Sequence, residues 1–159
     1  MSWPALSSGG NWPNRLSLKG QMNILIYGAT ETGYMVAYQL YRRHNITIVD
    51  DRERLPEKFN NLDVSFVSGN GADVLVLEQA NTAKADLFIA CSLIDEANIV
   101  ACWTAKRIAE VETICFIHRM DLYRNLVSLS QDRYQSKHDI DTIIWPEQLL
   151  TQDIFRIIL

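Results

Sequence analysis

A turn of small and polar residues lies between a short apolar run and a helical pattern. The apolar run is Ile24–Ile26, and the turn consists of Gly28, Ala29, Thr30, Glu31, Thr32 and Gly33. In strand–turn–helix units of this kind, the first glycine permits a tight turn and the last permits close contact between helix and strand. The helix N-terminus then offers unpaired N–H groups to a diphosphate. This spacing predicts a dinucleotide-binding turn.

Thr30 departs from the GxGxxG pattern, because it stands where the middle glycine is expected. Its Cβ crowds the approach of a diphosphate, whereas its hydroxyl can donate a hydrogen bond to one. GATG-type sugar-nucleotide enzymes also begin with Gly-Ala-Thr, but their final glycine falls one residue later than Gly33. The GxGxxG spacing therefore fits better, and an ordinary turn in an α/β protein without a ligand is the alternative.

A carboxylate follows the next apolar run, Ile46–Val49. Asp50 lies about twenty residues after the glycine turn, where an acidic residue accepts hydrogen bonds from an adenosine ribose and favours NAD over NADP. Asp51 comes directly after it. Asp51 either helps to bind the ribose or caps a short helix predicted over 52–59.

Six apolar runs predict strands that alternate with helical segments. The predicted strands are Ile24–Ile26, Ile46–Val49, Val64–Val67, Ala85–Ala90, Thr113–Ile117 and Asp141–Ile144. Their alternation with helices predicts a Rossmann-like, doubly wound parallel sheet in a three-layer α/β/α domain. With right-handed crossovers, the expected strand order is 3-2-1-4-5-6.

Two further loops are expected at the carboxyl edge of this sheet, where open α/β sheets bind ligands. Gly69, Asn70 and Gly71 follow the third strand, and Cys91 and Ser92 follow the fourth. As a plain turn, the first of these loops needs no ligand. In the helix that follows, Asp95, Glu96 and Asn98 occupy the first turn, so capping is their expected role.

Composition limits the class of protein. The chain has 159 residues, 48% hydrophobic content and a formal net charge of −4, which predicts one well-buried domain over 22–159. Without a basic run, nucleic acid and anionic membrane surfaces are not expected partners. No apolar run approaches the roughly 20 residues of a membrane span, so direct membrane insertion is not expected. Residues 1–21 predict a flexible leader or an added segment.

Three cysteines, widely spaced, favour neither a disulfide framework nor a metal site, and indicate a reducing compartment. The last helix is predicted to begin at Pro146 and to reach residue 159. Leu149, Leu150 and Ile154 are expected to cover their own sheet, whereas Phe155, Ile158 and Leu159 extend the apolar surface around the helix. This surplus predicts a homodimer.

The span 22–159 resembles the N-terminal nucleotide-binding domain of Trk-type potassium uptake regulatory proteins, the TrkA family, also called the RCK or KTN domain. Its more specific motifs are Ser92-Leu93-Ile94-Asp95-Glu96-Ala97-Asn98 and the run from Pro146 to Leu149. The resemblance implies a cytoplasmic, non-enzymatic regulator at the inner face of the membrane. Such a domain dimerises, binds NAD, NADH, ATP, ADP or AMP, and gates a membrane-embedded potassium transporter or channel subunit.

The resemblance also implies roles for individual residues. It places the diphosphate at Gly28, Thr30 and Gly33, and the adenosine ribose at Asp50. The adenine then lies near Gly69, Asn70 and Gly71, and the far half of the nucleotide near Cys91, Ser92 and Asn98. Phe116 and His118 stand where relatives often carry arginines, and Asn70 where an acid is common, so altered nucleotide affinity or choice is expected.

Two other functions fit parts of the sequence. An NAD-dependent oxidoreductase fragment fits the glycine turn, although no Tyr-x-x-x-Lys pair is present to supply a proton donor. A structural oligomerisation domain with a degenerate nucleotide site fits Thr30, Phe116 and His118. The second, ligand-sensing domain that is usual in the resembling family does not follow residue 159, which predicts either a fragment or a single-domain member.

Overall fold

The computed structural model describes residues 20–131 and 140–158. The predicted leader, except for its last two residues, and Leu159 lie outside the described residues. Within the described ranges the strands form one parallel sheet. The strands are β1 Asn23–Tyr27, β2 Asn45–Asp50, β3 Val64–Ser68, β4 Leu87–Ala90, β5 Glu112–Phe116 and β6 Thr142–Ile144.

The strand order is β3-β2-β1-β4-β5-β6, which confirms the predicted 3-2-1-4-5-6 order and the Rossmann-like fold class. β1 pairs with β2 on one side and with β4 on the other, so Tyr27 is level with both Val49 and Ala90. The loops that leave β1, β2 and β4 therefore start side by side at the carboxyl edge. This is the edge at which the sequence places the candidate site.

In the part of the chain that the structure describes, five α-helices connect or follow these strands. They are α1 Glu31–Leu40, α2 Val74–Gln79, α3 Asp95–Ile108, α4 Met120–Gln131 and α5 Pro146–Ile158. The helical connection predicted from Met120 extends to His138, and its residues after 131 lie outside the described residues. No helix of the described ranges is long and apolar enough to span a bilayer.

The prediction of a helix over 52–59 is wrong. Residues 51–54 form bends, and only a short 3₁₀ turn, Glu57–Phe59, follows Pro56. Pro56 has φ −55° and ψ 145°, an extended conformation, and no side chain caps the turn. A proline disfavours helical geometry in the residue before it and supplies no N–H. Asp51 therefore caps no helix here.

Side chains of alternating residues cover the two faces of the sheet. On β1, Ile24 and Ile26 pack in a cluster with Ala37 of α1, whereas Leu25 and Tyr27 pack on the opposite face with residues of α2 and α3. Burial of each such large apolar side chain stabilises the fold by about 1.5–3 kcal/mol. Because both faces are covered, the sheet is a rigid base for the loops at its edge.

Helix α5 packs differently from the prediction. None of its residues is buried, and Leu149, Leu150 and Ile154 are 40%, 63% and 48% exposed. The expectation that these three side chains cover their own sheet is therefore wrong. Phe155 and Ile158 are also exposed, at 60% and 73%. The helix presents its apolar residues to solvent in the described part of the chain.

Candidate functional site

The glycine turn after β1 approaches the end of β4 very closely. Gly28 has φ +117°, and a Cβ at this position would lie 2.7 Å from the backbone nitrogen of Ser92. A Cβ on Gly33 would overlap the carbonyl oxygen of Gly28. Both glycines are therefore required by the backbone itself, as the spacing predicts.

Thr30 is the N-cap residue of α1. Its Oγ1 accepts a hydrogen bond from the backbone N–H of Gly33 at 3.2 Å and donates one to the carbonyl of Cys91 at 2.9 Å. In this structure the hydroxyl proton is thus directed to the loop after β4, not toward a diphosphate. In place of a glycine, Thr30 therefore supplies one hydrogen bond that caps α1 and one that joins the ends of β1 and β4.

The start of α1 keeps donors for an anion. Within the described residues, the backbone N–H groups of Glu31 and Thr32 have no hydrogen-bond acceptor. These groups belong to the first turn of the helix, where the helix dipole also favours negative charge. The geometry is therefore suited to a phosphate, although the Glu31 side chain adds a carboxylate at the same end.

Asp50 lies against the glycine turn. Its Oδ2 accepts a hydrogen bond from the N–H of Ala29 at 2.7 Å, and its Oδ1 accepts one from the N–H of Arg52 at 3.1 Å. The Arg52 guanidinium donates from Nη1 to the carbonyl of Ala29 at 2.8 Å, and its Nε lies 3.7 Å from Asp50 Oδ1. Each carboxylate oxygen has two lone pairs, so Asp50 keeps acceptor capacity for ribose hydroxyls.

A cleft of about 420 Å³ opens beside this turn. It is lined by Ala29, Thr30, Glu31, Arg52, Pro56, Lys58 and Leu93. Lys58 Nζ lies 2.7 Å from Glu31 Oε2, so an ion pair joins the β2–β3 connection to the first residue of α1. Sequence reasoning missed both Arg52 and Lys58, because it placed them on a helix. An arginine two residues after the ribose acid was the available signal.

Tyr27 connects the end of β1 with the loop after β3. Its hydroxyl donates to Asn70 Oδ1 at 3.3 Å, and its ring packs directly on Gly71, where a Cβ would overlap it. Asn70 Oδ1 also accepts from the N–H of Ala72 at 2.9 Å. Burial raises the pKa of Tyr27, and the charge of Asp51 adds to this shift, so the phenol remains a donor at neutral pH. No sequence motif predicts this role of Tyr27.

Asn98 is fully buried and makes four hydrogen bonds. Its Oδ1 accepts from the N–H and the hydroxyl of Ser92 at 2.9 and 2.7 Å. Its Nδ2 donates to the carbonyls of Ser92 and Phe116, both at 3.0 Å. All donor and acceptor positions of the amide are thus used, and Asn98 positions the loop after β4. Its contact with a nucleotide stays a prediction.

Asp95 does not cap α3 as expected. The N-cap residue is Ile94, without a side-chain cap, and Asp95 is 4% exposed. Its carboxylate accepts from the backbone N–H groups of His118 and Arg119 at 3.0 and 2.8 Å, and its Oδ1 lies 3.3 Å from His118 Nδ1. The loop after β5 offers these N–H groups close by, so they displace the local capping bond.

Cys91 is buried at the end of β4, with its Sγ 3.7 Å from the carbonyl of Gly28. Burial raises the pKa of the Cys91 thiol to about 12. The thiol is therefore neutral at pH 7 and unsuited to act as a nucleophile. Both its sulfur and its backbone carbonyl contact the glycine turn, the carbonyl by accepting from the Thr30 hydroxyl.

The family model of the TrkA-N domain matches residues 24–143. This match covers the sheet, except for the first residue of β1 and the last of β6, and includes both sides of the candidate site. The chain belongs to the TrkA-N domain family. The resemblance inferred from the sequence motifs is thereby confirmed.

Two relatives are named for potassium uptake. The Trk system potassium uptake protein TrkA of Halomonas elongata is 36% identical over 146 residues, which covers 86% of this chain and 30% of the relative. The Haemophilus influenzae protein of the same name is 33% identical over 149 residues, with the same coverage of 86% and 30%. The chain thus spans less than one third of the length of these two relatives.

A solved structure confirms the fold of the TrkA-N domain. The TrkA-N domain of the inner membrane protein ybaL from Escherichia coli aligns with a TM-score of 0.71 at 13% identity, covering 86% of this chain and 96% of that one. The GsuK channel bound to NAD aligns with a TM-score of 0.65 at 19% identity, covering 84% and 23%. At these identities the likeness concerns the fold.

The TrkA-N fold brings the predicted site residues together at one edge. Thr30 contacts Cys91, Asp50 contacts Ala29, and Tyr27 links the β1 end to Asn70. Asp51 is exposed next to Asp50 and remains a candidate for the ribose. The assignment of these residues to parts of a nucleotide stays a prediction.

Proposed function

We propose that this TrkA-N domain binds NAD or NADH, or alternatively ATP, ADP or AMP, at the carboxyl edge of β1 and β2. The contact between Asp50 Oδ2 and the N–H of Ala29, at 2.7 Å, supports this proposal most directly. It fixes the expected ribose acceptor beside the free N–H groups of the first turn of α1. Ribose and diphosphate then find partners on adjacent elements.

NAD is the first ligand to test. The GsuK channel, which shares this fold, is described as bound to NAD. The carboxylate of Asp50 also disfavours NADP, because a 2′-phosphate would add like-charge repulsion. Calorimetric titration of the protein with NAD, NADH, NADP, ATP, ADP and AMP tests the proposal. Binding of NAD or an adenine nucleotide, with NADP weaker, is expected, and no binding of any of them would contradict it.

In this proposal the role of the TrkA-N domain is regulatory and not enzymatic. The domain acts in the cytoplasm on a membrane-embedded potassium transporter or channel. The potassium uptake names of the relatives support this part of the proposal. Nucleotide binding is expected to change potassium flux and to leave the ligand chemically unchanged. Potassium flux in cells with and without the gene, together with recovery of intact NAD after incubation, provides the test.

We further propose that α5 mediates a homodimer. The exposed apolar side chains of this helix, including Phe155 at 60% and Ile158 at 73%, support a second copy as the covering surface. The pair of substitutions Phe155→Asp and Ile158→Asp should weaken the dimer by about 3–6 kcal/mol per subunit, from the burial energy of two such side chains on each copy. Light scattering provides the measurement.

The control for this experiment is Leu75→Asp, which changes an exposed apolar residue of α2 that is 69% accessible. It should leave the dimer intact, and both variants should keep their nucleotide affinity. A wild-type protein that is monomeric at high micromolar concentration would contradict the dimer proposal.

A further inference from the structure

We infer that Arg52 and Lys58 form a phosphate clamp in the cleft beside the glycine turn. On nucleotide binding they turn from their present protein partners to the diphosphate, so the site selects adenine nucleotides that carry a diphosphate over AMP and adenosine. This inference rests on the proposed function and names the groups that neutralise the ligand.

Both cations come from one segment, the connection between β2 and β3. Arg52 follows β2 by two residues, and Lys58 lies in the 3₁₀ turn Glu57–Phe59. They line the same cleft of about 420 Å³ as Ala29, Thr30 and Glu31 of the glycine turn. The cleft therefore has positive charge on one wall and the first turn of α1 on the other. A diphosphate at the helix N-terminus would lie between them.

The present partners of the two cations can be exchanged for phosphate oxygens. Arg52 donates to the neutral carbonyl of Ala29 at 2.8 Å, and its Nε lies 3.7 Å from Asp50 Oδ1, beyond hydrogen-bond distance. Lys58 pairs with Glu31 at 2.7 Å, and the two side chains are 33% and 77% exposed. Exposed ion pairs of this kind contribute little to stability, whereas charge-assisted bonds from arginine or lysine to phosphate are strong. Exchange is therefore favourable once a phosphate arrives.

Glu31 explains the expected preference for a diphosphate. Its carboxylate stands at the first residue of α1, where it repels an anion and holds Lys58. A ligand must replace Glu31 as the partner of Lys58 and also engage Arg52, which favours two phosphate groups over one. Removing the Glu31 charge should then strengthen binding, an effect opposite in sign to removal of Lys58.

The cation at the far side of the edge, Arg119, is paired with two carboxylates, whereas Lys58 is paired with one. Arg119, in the loop after β5, pairs with Glu96 at 2.5 Å and with Asp121 at 2.7 Å. His118 lies beside the buried carboxylate of Asp95. The β2–β3 connection is thus the better placed source of neutralising charge for a phosphate at α1.

Calorimetric titrations of the variants Arg52→Met, Lys58→Met and Glu31→Gln test the clamp, with ADP, AMP, adenosine and inorganic pyrophosphate as ligands. Arg52→Met and Lys58→Met should each weaken ADP binding about tenfold, and should change adenosine binding less than about twofold. Glu31→Gln should strengthen ADP binding by about threefold. The control Lys84→Met changes an exposed lysine in the 3₁₀ turn before β4 and should change nothing.

The outcomes separate the clamp from the proposed function. If ADP binds the wild type, Arg52→Met and Lys58→Met equally, the clamp is wrong and nucleotide binding stands. An equal loss for adenosine and ADP would also overturn the clamp, since it indicates a general structural defect. Pyrophosphate binding that depends on Arg52 and Lys58, without binding of ADP or NAD, would support the clamp and contradict the proposed function. A wild type that binds none of these ligands would overturn both.

Discussion

At the end of β2, Asp50 and Arg52 contact the glycine turn with side chains that are 14% and 51% exposed. At the end of β4, by contrast, Asn98 is fully buried and its amide is saturated by Ser92 and Phe116. The β2 half of the carboxyl edge thus presents charges that can change partners, and the β4 half uses its polar groups to hold two loops together. Polar residues at one edge of a sheet can therefore have different roles: some are accessible to a ligand, and others hold the loops in position.

The largest change in the free energy of unfolding is expected when the Asn98 amide of the β4 half is removed. Asn98→Ala removes a fully buried amide and leaves part-buried backbone groups of Ser92 and Phe116 without its hydrogen bonds, and should lower the free energy of unfolding by about 3 kcal/mol. Urea denaturation followed by circular dichroism measures it. Asn60→Ala, at an exposed position, is the matched control and should change stability by less than about 0.5 kcal/mol. If Asn98→Ala leaves the free energy of unfolding unchanged, the β4 half does not depend on this amide for its structure.

A smaller effect on stability but a direct effect on affinity is expected in the β2 half. Asp50→Ala should weaken NAD binding by about 1.5–3 kcal/mol, the range for a hydrogen bond to a charged group. Calorimetry gives the affinity, and a melting curve shows whether the glycine turn still folds. Asp63→Ala changes another exposed acid and should bind NAD as the wild type does. Equal affinities for Asp50→Ala and wild type would show that the ribose is not held there.

The smallest effect concerns Cys91, which lies where the two halves meet. Its folded-state pKa of about 12 exceeds the unfolded value, so the unfolded thiol ionises first as the pH rises above about 9. The free energy of unfolding should therefore fall between pH 8 and 10 by on the order of 1 kcal/mol more in the wild type than in Cys91→Ala. Urea midpoints at the two pH values provide the comparison. Identical pH dependence would argue against a buried, neutral thiol.

Sequence patterns predicted the sheet well, because strand order follows from apolar runs and right-handed crossovers. The prediction of a short helix over 52–59 was wrong because Pro56 adopts an extended conformation. The packing of Leu149, Leu150 and Ile154 on their own sheet was wrong because apolar character alone does not say which surface a helix covers. Sequence patterns thus predict where strands and helices form, but they do not predict which surface a helix packs against.

The candidate site shows the same division. Gly28, Gly33 and Asp50 follow from spacing along the chain, since each serves one strand–turn–helix unit. Tyr27 and Lys58 act on partners 43 and 27 residues away, which no local pattern reveals. Asp95 was expected to cap its own helix, but it accepts from backbone groups 23 and 24 residues further along. Contacts of this range become visible only once the sheet edge is assembled.

An NMR titration of ¹⁵N-labelled protein with NAD shows whether the nucleotide occupies the β2 half of the edge, as we expect. The largest amide shifts are expected at four N–H groups. Those of Ala29 and Arg52 donate to the Asp50 carboxylate, and those of Glu31 and Thr32 lie in the first turn of α1. Smaller shifts are expected at Asn98 and His118. Shifts confined to the β4 and β5 ends, with the glycine turn unchanged, would show that the nucleotide does not bind at the β2 half.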